Sequence, residues 1–380
     1  MIAEGNDRAL VVESLRDLLP EGVVSSASPS KPFEVTADEL ASRLLEWEKD
    51  FEEGSPPATI KAVRADWHRF VDWCARHKVA PIPVETTALL RYLREAVKDG
   101  RRLSTLRRYL YSIRLIHRAA GAPDPTHDGI WRQKWKVILK RLSTLERTAP
   151  TQATPLQMPA VAAILAKLGD SPHELRDGAM LALASDTLCR ESELVRVVLE
   201  DIEPDPSTGA WTLRVGKSKT DGLRRGSYRY VSPDTKARID RWCAAHGINS
   251  GPLFVPIGGP GKAPLQLQEG QRPSSDEELQ HAVLRPREVA RMFRRRAIAA
   301  GLPEGSSISG HSTRVGTALD LDEDGASIQD TMAAGGWKSQ HMVLHYTRRT
   351  RAGRNAVANL RRKSTTDSGD PQSSGDNADA

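Results

Sequence analysis

The sequence predicts a mainly α-helical chain with a small β-sheet, arranged as an all-helical N-terminal unit followed by an α+β unit. Three observations carry this reading. Apolar side chains recur at helical spacing in successive segments between residues 36 and 148. Period-two alternation appears only later, in WTLRVG and GSYRYV, with KSKTDGLRR between them as a turn. The stretch STLERTAPTQATP separates the two regions with linker chemistry.

The elements follow in order. Residues 1–35 read as a flexible acidic segment ending in the Ser/Pro stretch SSASPSKP. TADELASRLLEWEKDFEEG opens the helical unit, 36–148, with Thr36 or Asp38 as its N-cap and Leu40, Leu44 and Trp47 on one face. In TIKAVRADWHRFVDWCARH the buried stripe is Val63, Trp67, Phe70, Val71 and Cys74, with Lys61, Arg64 and His68 on another face. PVETTALLRYLREAVKDG and STLRRYLYSIRLIHRAAG repeat the pattern, the second with Arg107, Arg108, Arg114 and Arg118 outside, and IWRQKWKVILKRL completes the unit. A linker at 149–155 leads to the second unit, 156–363. There, MPAVAAILAKLG and HELRDGAMLALASDTLCR are helices, and SPDTKARIDRWCAAHG has a Ser-Pro start and a Gly stop. GPLFV reads as a strand, RPREVARMFRRRAIAAG as a strongly basic helix, and further helices run to Arg362. The acidic tail, 364–380, has a disordered composition.

Charge narrows the function. The net charge is +6, yet the tail holds Asp367, Asp370, Asp376 and Asp379 with no base, and residues 1–35 are also net acidic. The body between is therefore more basic than the total, which points to a polyanion, nucleic acid first. No apolar run reaches bilayer length, and Cys74, Cys189 and Cys243 are too scattered for a disulfide framework or a zinc knuckle, so a reducing cytoplasm is expected. GGPGKA around Lys262 fails as a phosphate loop, because Pro256 stands at the first glycine and Ala263 replaces the Mg²⁺-binding hydroxyl. His341 and His345 stand four apart, but Met342 occupies the place of the metalloprotease glutamate. Neither a metal nor a cofactor is expected.

The second unit places cations inside apolar segments. Arg190 closes LALASDTLCR with Glu193 three places on, Lys219 lies in a strand–strand turn, and SGHSTRVG sets His311 and Arg314 on one helical face. GGWKSQHMVLHYT adds Trp337 and Tyr346. Cations gathered this way repel one another unless an anion sits between them, and a phosphodiester accepts forked guanidiniums on its two non-bridging oxygens.

This ordered set, Arg190, Lys219, His311-x-x-Arg314, Trp337 and Tyr346, resembles the tyrosine recombinases, or phage integrases, over roughly Leu40 to Arg362. The acidic ends and a Gly/Pro-rich insertion near 257–275 depart from the family pattern. The resemblance implies an N-terminal DNA-clamp domain and an α+β catalytic domain acting on double-stranded DNA. It implies Tyr346 as nucleophile, Arg190 and Arg314 as phosphate ligands, Lys219 as the acid for the leaving 5′-oxygen, His311 as proton acceptor or phosphate donor, and Trp337 as an N–H donor. Glu193 would orient the cations. Lys61, Arg64 and Arg107 would grip the duplex, while Arg287, which matches the family's base-reading arginine, and Arg291 would face it from the basic helix. A homotetramer on two inverted-repeat sites is implied, monomeric or weakly associated when free, working without ATP or metal in the cytoplasm of a bacterium or on a phage or plasmid. Rival readings are a telomere resolvase, a type IB topoisomerase and a non-catalytic architectural DNA-binding protein.

Overall fold

The computed structural model describes residues 23–26, 33–148, 152–216, 226–257, 283–353, 357–358 and 360–361. The chain divides into two compact units, Met1–Thr151 and Gln152–Ala380.

In the first unit, β1 (Val23–Ser26) pairs antiparallel with β2 (Phe33–Thr36). In sequence this region reads as a flexible segment. Strands of four residues beside a Ser/Pro stretch carry too little periodicity to be recognised, yet Phe33 and Val35 face inward and join the core. Four helices of the unit then follow: α1 (Ala37–Gly54), α2 (Pro57–His77), α3 (Thr86–Lys98) and α4 (Leu103–Ala119). Thr36 caps α1 by accepting the Glu39 N–H at 3.1 Å. The stripe read from α2 is buried throughout, with Trp67 and Phe70 fully enclosed. Phe70, Trp73 and Tyr92 meet edge to face at 5.2 and 5.4 Å, which locks α2 to α3. The fifth helix, α5 (Gly129–Thr144), seats only Ile138 and Leu142 fully and leaves Ile130 and Val137 exposed.

The second unit is built around α7 (Pro172–Thr187), buried almost continuously from Arg176 to Thr187. Against it lie α6 (Met158–Leu165), α9 (Pro233–His246) and α11 (Ser312–Glu323), with α8 (Glu191–Leu194) following the end of α7. A three-stranded antiparallel sheet runs in the order β3 (Ile202–Pro204), β4 (Trp211–Val215), β5 (Ser227–Val231). β3 was missed because a three-residue strand ending in proline has almost no pattern. GPLFV is not a strand: Leu253, Phe254 and Val255 are buried, but the segment forms only an isolated bridge between Pro252 and Val198. A short apolar run signals burial without saying what the backbone pairs with. The chain continues with α10 (Pro286–Ala299), α12 (Ile328–Gly335) and α13 (Gln340–Ala352).

The basic helix α10 is held by one buried acid. Asp177, with its side chain wholly enclosed, accepts from Arg176 at 3.0 Å and from Arg295 and Arg296 at 2.8 Å each. These arginines therefore serve the fold, whereas Arg287 and Arg291 stay exposed.

One buried base makes the first unit acid-sensitive. His117 is fully buried, donates Nδ1–H to the Ile113 carbonyl at 2.8 Å and accepts the Val84 N–H on Nε2 at 3.1 Å. Protonation would put a charge in the core and destroy the Val84 bond, so burial pushes the imidazole down to about 4. A depressed pKa contributes stability above the unfolded value near 6.5 that is lost as pH falls toward 4, about 3 kcal/mol by linkage. Unfolding of the full chain followed between pH 7 and 4 should show this loss, and His117→Gln should be less stable at pH 7 with a flatter profile. Parallel profiles for the two proteins would contradict it.

Candidate active site

The end of α7 sets the first arginine. Helix α7 stops at Thr187, Leu188 takes a left-handed conformation at φ +50°, and the chain turns so that Arg190 becomes the N-cap of α8. Arg190 thus begins a helix rather than ending one. Glu193 holds it at two points: Oε2 accepts the Arg190 backbone N–H at 2.9 Å, and Oε1 accepts its guanidinium at 2.6 Å. Glu193 is buried, so this pair is shielded from solvent.

Arg314 lies deeper still. It sits on the first turn of α11 and is 1% exposed. Its guanidinium donates to the carbonyls of Leu188 and, at 2.9 Å, Gly335, and lies 4.4 Å over the Trp337 ring. Burial first, then the charges of Arg190 and Arg229, pull it down to about 10, which still leaves it protonated at neutral pH. Trp337 is buried, and its indole N–H finds no acceptor among the described residues. The Tyr346 ring stands 5.7 Å from it, on α13. Helix α13 is fixed by Asp322 of α11, which accepts from Thr350 at 2.8 Å and Arg351 at 2.6 Å. The acidic run LDLDEDG thus contains a buried clasp.

His311 is the N-cap of α11 and the exposed member of the group. Gly310 before it allows close approach: a Cβ there would collide with the Glu191 carboxylate. Partial burial, then Arg314 and Arg190, hold His311 below the ordinary histidine range, while Glu193 opposes. Since the ring keeps contact with solvent, the two guanidiniums are the firmer cause.

The structure therefore brings Arg190, Glu193, His311, Arg314, Trp337 and Tyr346 together. Lys219 lies outside the described residues. Arg229 of β5, absent from the sequence-derived set, is buried 3.9 Å from Glu193, and its signal was an arginine in the inward register of SYRYV. In the first unit, Lys61 and Arg107 are exposed, but Arg64 is paired with Glu48 at 3.2 Å and with Glu52. Arg107 lines a cavity of about 300 Å³ with Arg114, Arg118, Tyr111, Trp131 and Trp135.

No family model matches the chain. Among curated proteins it is 25% identical to the Cre recombinase of Escherichia phage P1, over 84% of this chain and 92% of that protein. It is 26% identical to an integrase/recombinase XerD homologue of Selenomonas ruminantium, over 80% of this chain and 84% of that protein. In fold it resembles the XerH site-specific recombinase bound to a palindromic difH substrate, with TM-score 0.55, 12% identity and coverage of 96% and 98% of the two chains. It also resembles the Tn1549 transposon integrase in complex with circular intermediate DNA, with TM-score 0.54, 12% identity and coverage of 80% and 94%. These relatives and solved folds support a member of the tyrosine recombinase family. Within it, the chain is a tyrosine-type site-specific recombinase or integrase, and its likeness to Cre is that of a distant relative rather than a close one. No helix among the described residues is long and apolar enough to cross a membrane.

The electrostatics of His311 can be checked directly. Nuclear magnetic resonance titration of the free protein should give His311 a midpoint below the ordinary histidine range. An anion between the arginines would offset their charge, so duplex bound at the site should raise that midpoint. An unchanged midpoint would place the phosphate elsewhere.

Proposed function

We propose that the chain cleaves and rejoins double-stranded DNA at specific inverted-repeat sites through a covalent tyrosine intermediate. One observation carries this reading: the Arg314 guanidinium and an unpartnered buried indole N–H lie beside the Tyr346 ring, with Arg190 within electrostatic reach of Arg314. A site of that composition suits an anion whose charge grows during reaction.

In this reading the scissile phosphate takes hydrogen bonds from Arg190, Arg314 and the Trp337 indole. Arg314 has five N–H groups and spends two on carbonyls, so donors remain for an oxygen. The Tyr346 hydroxyl attacks phosphorus and its proton passes to His311, which accepts it as the neutral imidazole. The bond to the 5′-oxygen breaks, Lys219 protonates that oxygen, and a 3′-phosphotyrosyl ester remains. A free 5′-hydroxyl then attacks the ester and restores a phosphodiester. Bond energy is retained in the ester, so the cycle consumes neither ATP nor water. The guanidiniums supply the positive charge that a metal supplies in many nucleases, so no metal is required.

On the duplex, Lys61 and Arg107 from the helical unit and Arg287 and Arg291 from α10 are the proposed contacts. Arg287 fits bidentate readout of guanine. Arg64 is a weaker member of this set, since its charge is matched by Glu48 and Glu52. The working assembly is a homotetramer on two sites in the cytoplasm. Beyond α13, Val357 and Leu360 expose 65% and 68% of their surface, as an apolar stripe would that docks on a neighbouring subunit. Ala356, the third residue of that stripe, lies outside the described residues.

Tyr346→Phe tests both the chemistry and the assembly. It removes one hydroxyl, so duplex binding should persist while the covalent adduct vanishes. Native mass spectrometry of this uncleaving complex should give four chains on two duplexes, and adducts of the wild-type chain should form in EDTA. An adduct formed by the phenylalanine variant would overturn the nucleophile, and a strict Mg²⁺ requirement would overturn the charge argument.

A further inference from the structure

Strand β5 carries an arginine where its register requires an apolar side chain. Tyr228 and Tyr230 face solvent, whereas Arg229 and Val231 face inward, with Arg229 only 3% exposed and opposite Leu213 of β4. A guanidinium does not shed its proton under these conditions, so it must find acceptors. One terminal nitrogen donates to the Thr187 carbonyl at 2.7 Å, and the other stands 3.9 Å from Glu193 Oε2. Thr187 ends α7, whose last carbonyls have no partner within the helix. Arg229 takes the Thr187 carbonyl and Arg314 takes the next, that of Leu188. Two cations thus grip consecutive carbonyls at the negative end of the helix dipole, immediately ahead of Arg190. The nitrogen of Arg229 that faces Glu193 also lies against Gly336, the left-handed cap of α12 directly before Trp337. A Cβ at Gly336 would stand 2.5 Å from the guanidinium, so the backbone that presents Trp337 rests on Arg229.

We propose that Arg229 is a positioning residue for DNA cleavage, which fixes Glu193 and the turn before Trp337 without touching the phosphate. Glu193 alone would neutralise Arg190, because its Oε1 already binds that guanidinium at 2.6 Å. A second cation near Oε2 divides the carboxylate's charge and leaves Arg190 attraction to spare for an anion. Arg229 also ties the strand following the Lys219 segment to the end of α7. One buried side chain therefore connects Arg190, Trp337 and the start of the strand beyond Lys219.

The inference rests on Arg190 and Arg314 facing the scissile phosphate, and its test separates the two ideas. Full-length wild type, Arg229→Met and Arg229→Lys are compared on a duplex site selected by the wild-type chain. Each is also tested on the same duplex with a neutral methylphosphonate at the cleaved position. Arg229→Met should bind both duplexes within about threefold of wild type and form adduct on the phosphodiester about a hundredfold more slowly. On the methylphosphonate it should come within about tenfold of wild type, because a centre with less charge to neutralise no longer needs a well-aimed Arg190. Arg229→Lys keeps the charge and one donor, and should lose only about tenfold on the phosphodiester, with recovery on the methylphosphonate. Wild-type cleavage by the methionine variant, or an equal loss on both substrates, would overturn the role. If the methionine variant does not fold, the lysine variant decides by the same comparison: recovery supports the role and an equal loss overturns it. If the wild-type chain itself forms no Tyr346 adduct, the active-site reading fails rather than the part given to Arg229.

Discussion

The catalytic unit depends on one buried cation. Arg314 is almost wholly enclosed, and burying a guanidinium without acceptors costs far more than a protein of this size can offset. Its acceptors are the main-chain carbonyls of Leu188 and Gly335, which are the loose ends of α7 and α12. The fold therefore satisfies the charge by bringing two helix C-termini to it. That choice also places Arg190, just after Leu188, and Trp337, just after Gly335, on either side of the same guanidinium. Structural necessity and site geometry are here the same hydrogen bonds. Carbonyls neutralise less charge than a carboxylate would, so the centre stays cationic and open to an anion.

The acids around the site extend this logic. Glu193 is the carboxylate shared by Arg190 and, at longer range, Arg229, and it also acts electrostatically on Arg314, so three guanidiniums are balanced by one buried acid. Elsewhere in the unit the arginines reach a carboxylate directly, where Arg314 has only carbonyls. Asp177 collects Arg176, Arg295 and Arg296, and Asp322 collects Arg351, so those arginines are committed to packing. The contrast separates a ligand-seeking cluster from arginines that merely hold α10 and α13 in place. Charge counts along the sequence cannot make that distinction, because both kinds of arginine look alike until their partners are known.

Much of this was legible in the sequence, for identifiable reasons. The stripe on α2 was readable because Val63, Trp67, Phe70, Val71 and Cys74 recur on one face of a long helix. Arg190 stood out as a cation closing an apolar segment and His311 and Arg314 as a pair at helical spacing, while Trp337 and Tyr346 were picked out by the resemblance of the ordered set to the tyrosine recombinases. What escaped had weak or misleading local signals. β1, β2 and β3 are too short for periodicity, and GPLFV is apolar because it is buried, not because it pairs. Arg64 looked like a free surface base until Glu48 and Glu52 closed on it from α1, a contact between helices that no single-segment pattern records. Asp322 stands among acidic neighbours in LDLDEDG that give no sign of burial, and its partners arrive from another helix, α13. Arg229 was passed over as one more arginine between tyrosines, although its place in the inward row of β5 was the clue.

The central claim is that Arg190, His311, Arg314 and Trp337 surround one phosphate within reach of Tyr346. The most direct measurement is a crystal structure of the Tyr346→Phe chain bound to a duplex carrying its own selected site. The account predicts one phosphate with its non-bridging oxygens about 3 Å from the Arg190 and Arg314 guanidiniums and from the Trp337 indole nitrogen, its phosphorus facing the edge of the substituted ring where the hydroxyl of Tyr346 would stand. A bound duplex whose nearest phosphate leaves the Trp337 N–H unpartnered, with Arg314 contacting only the carbonyls of Leu188 and Gly335, would contradict it.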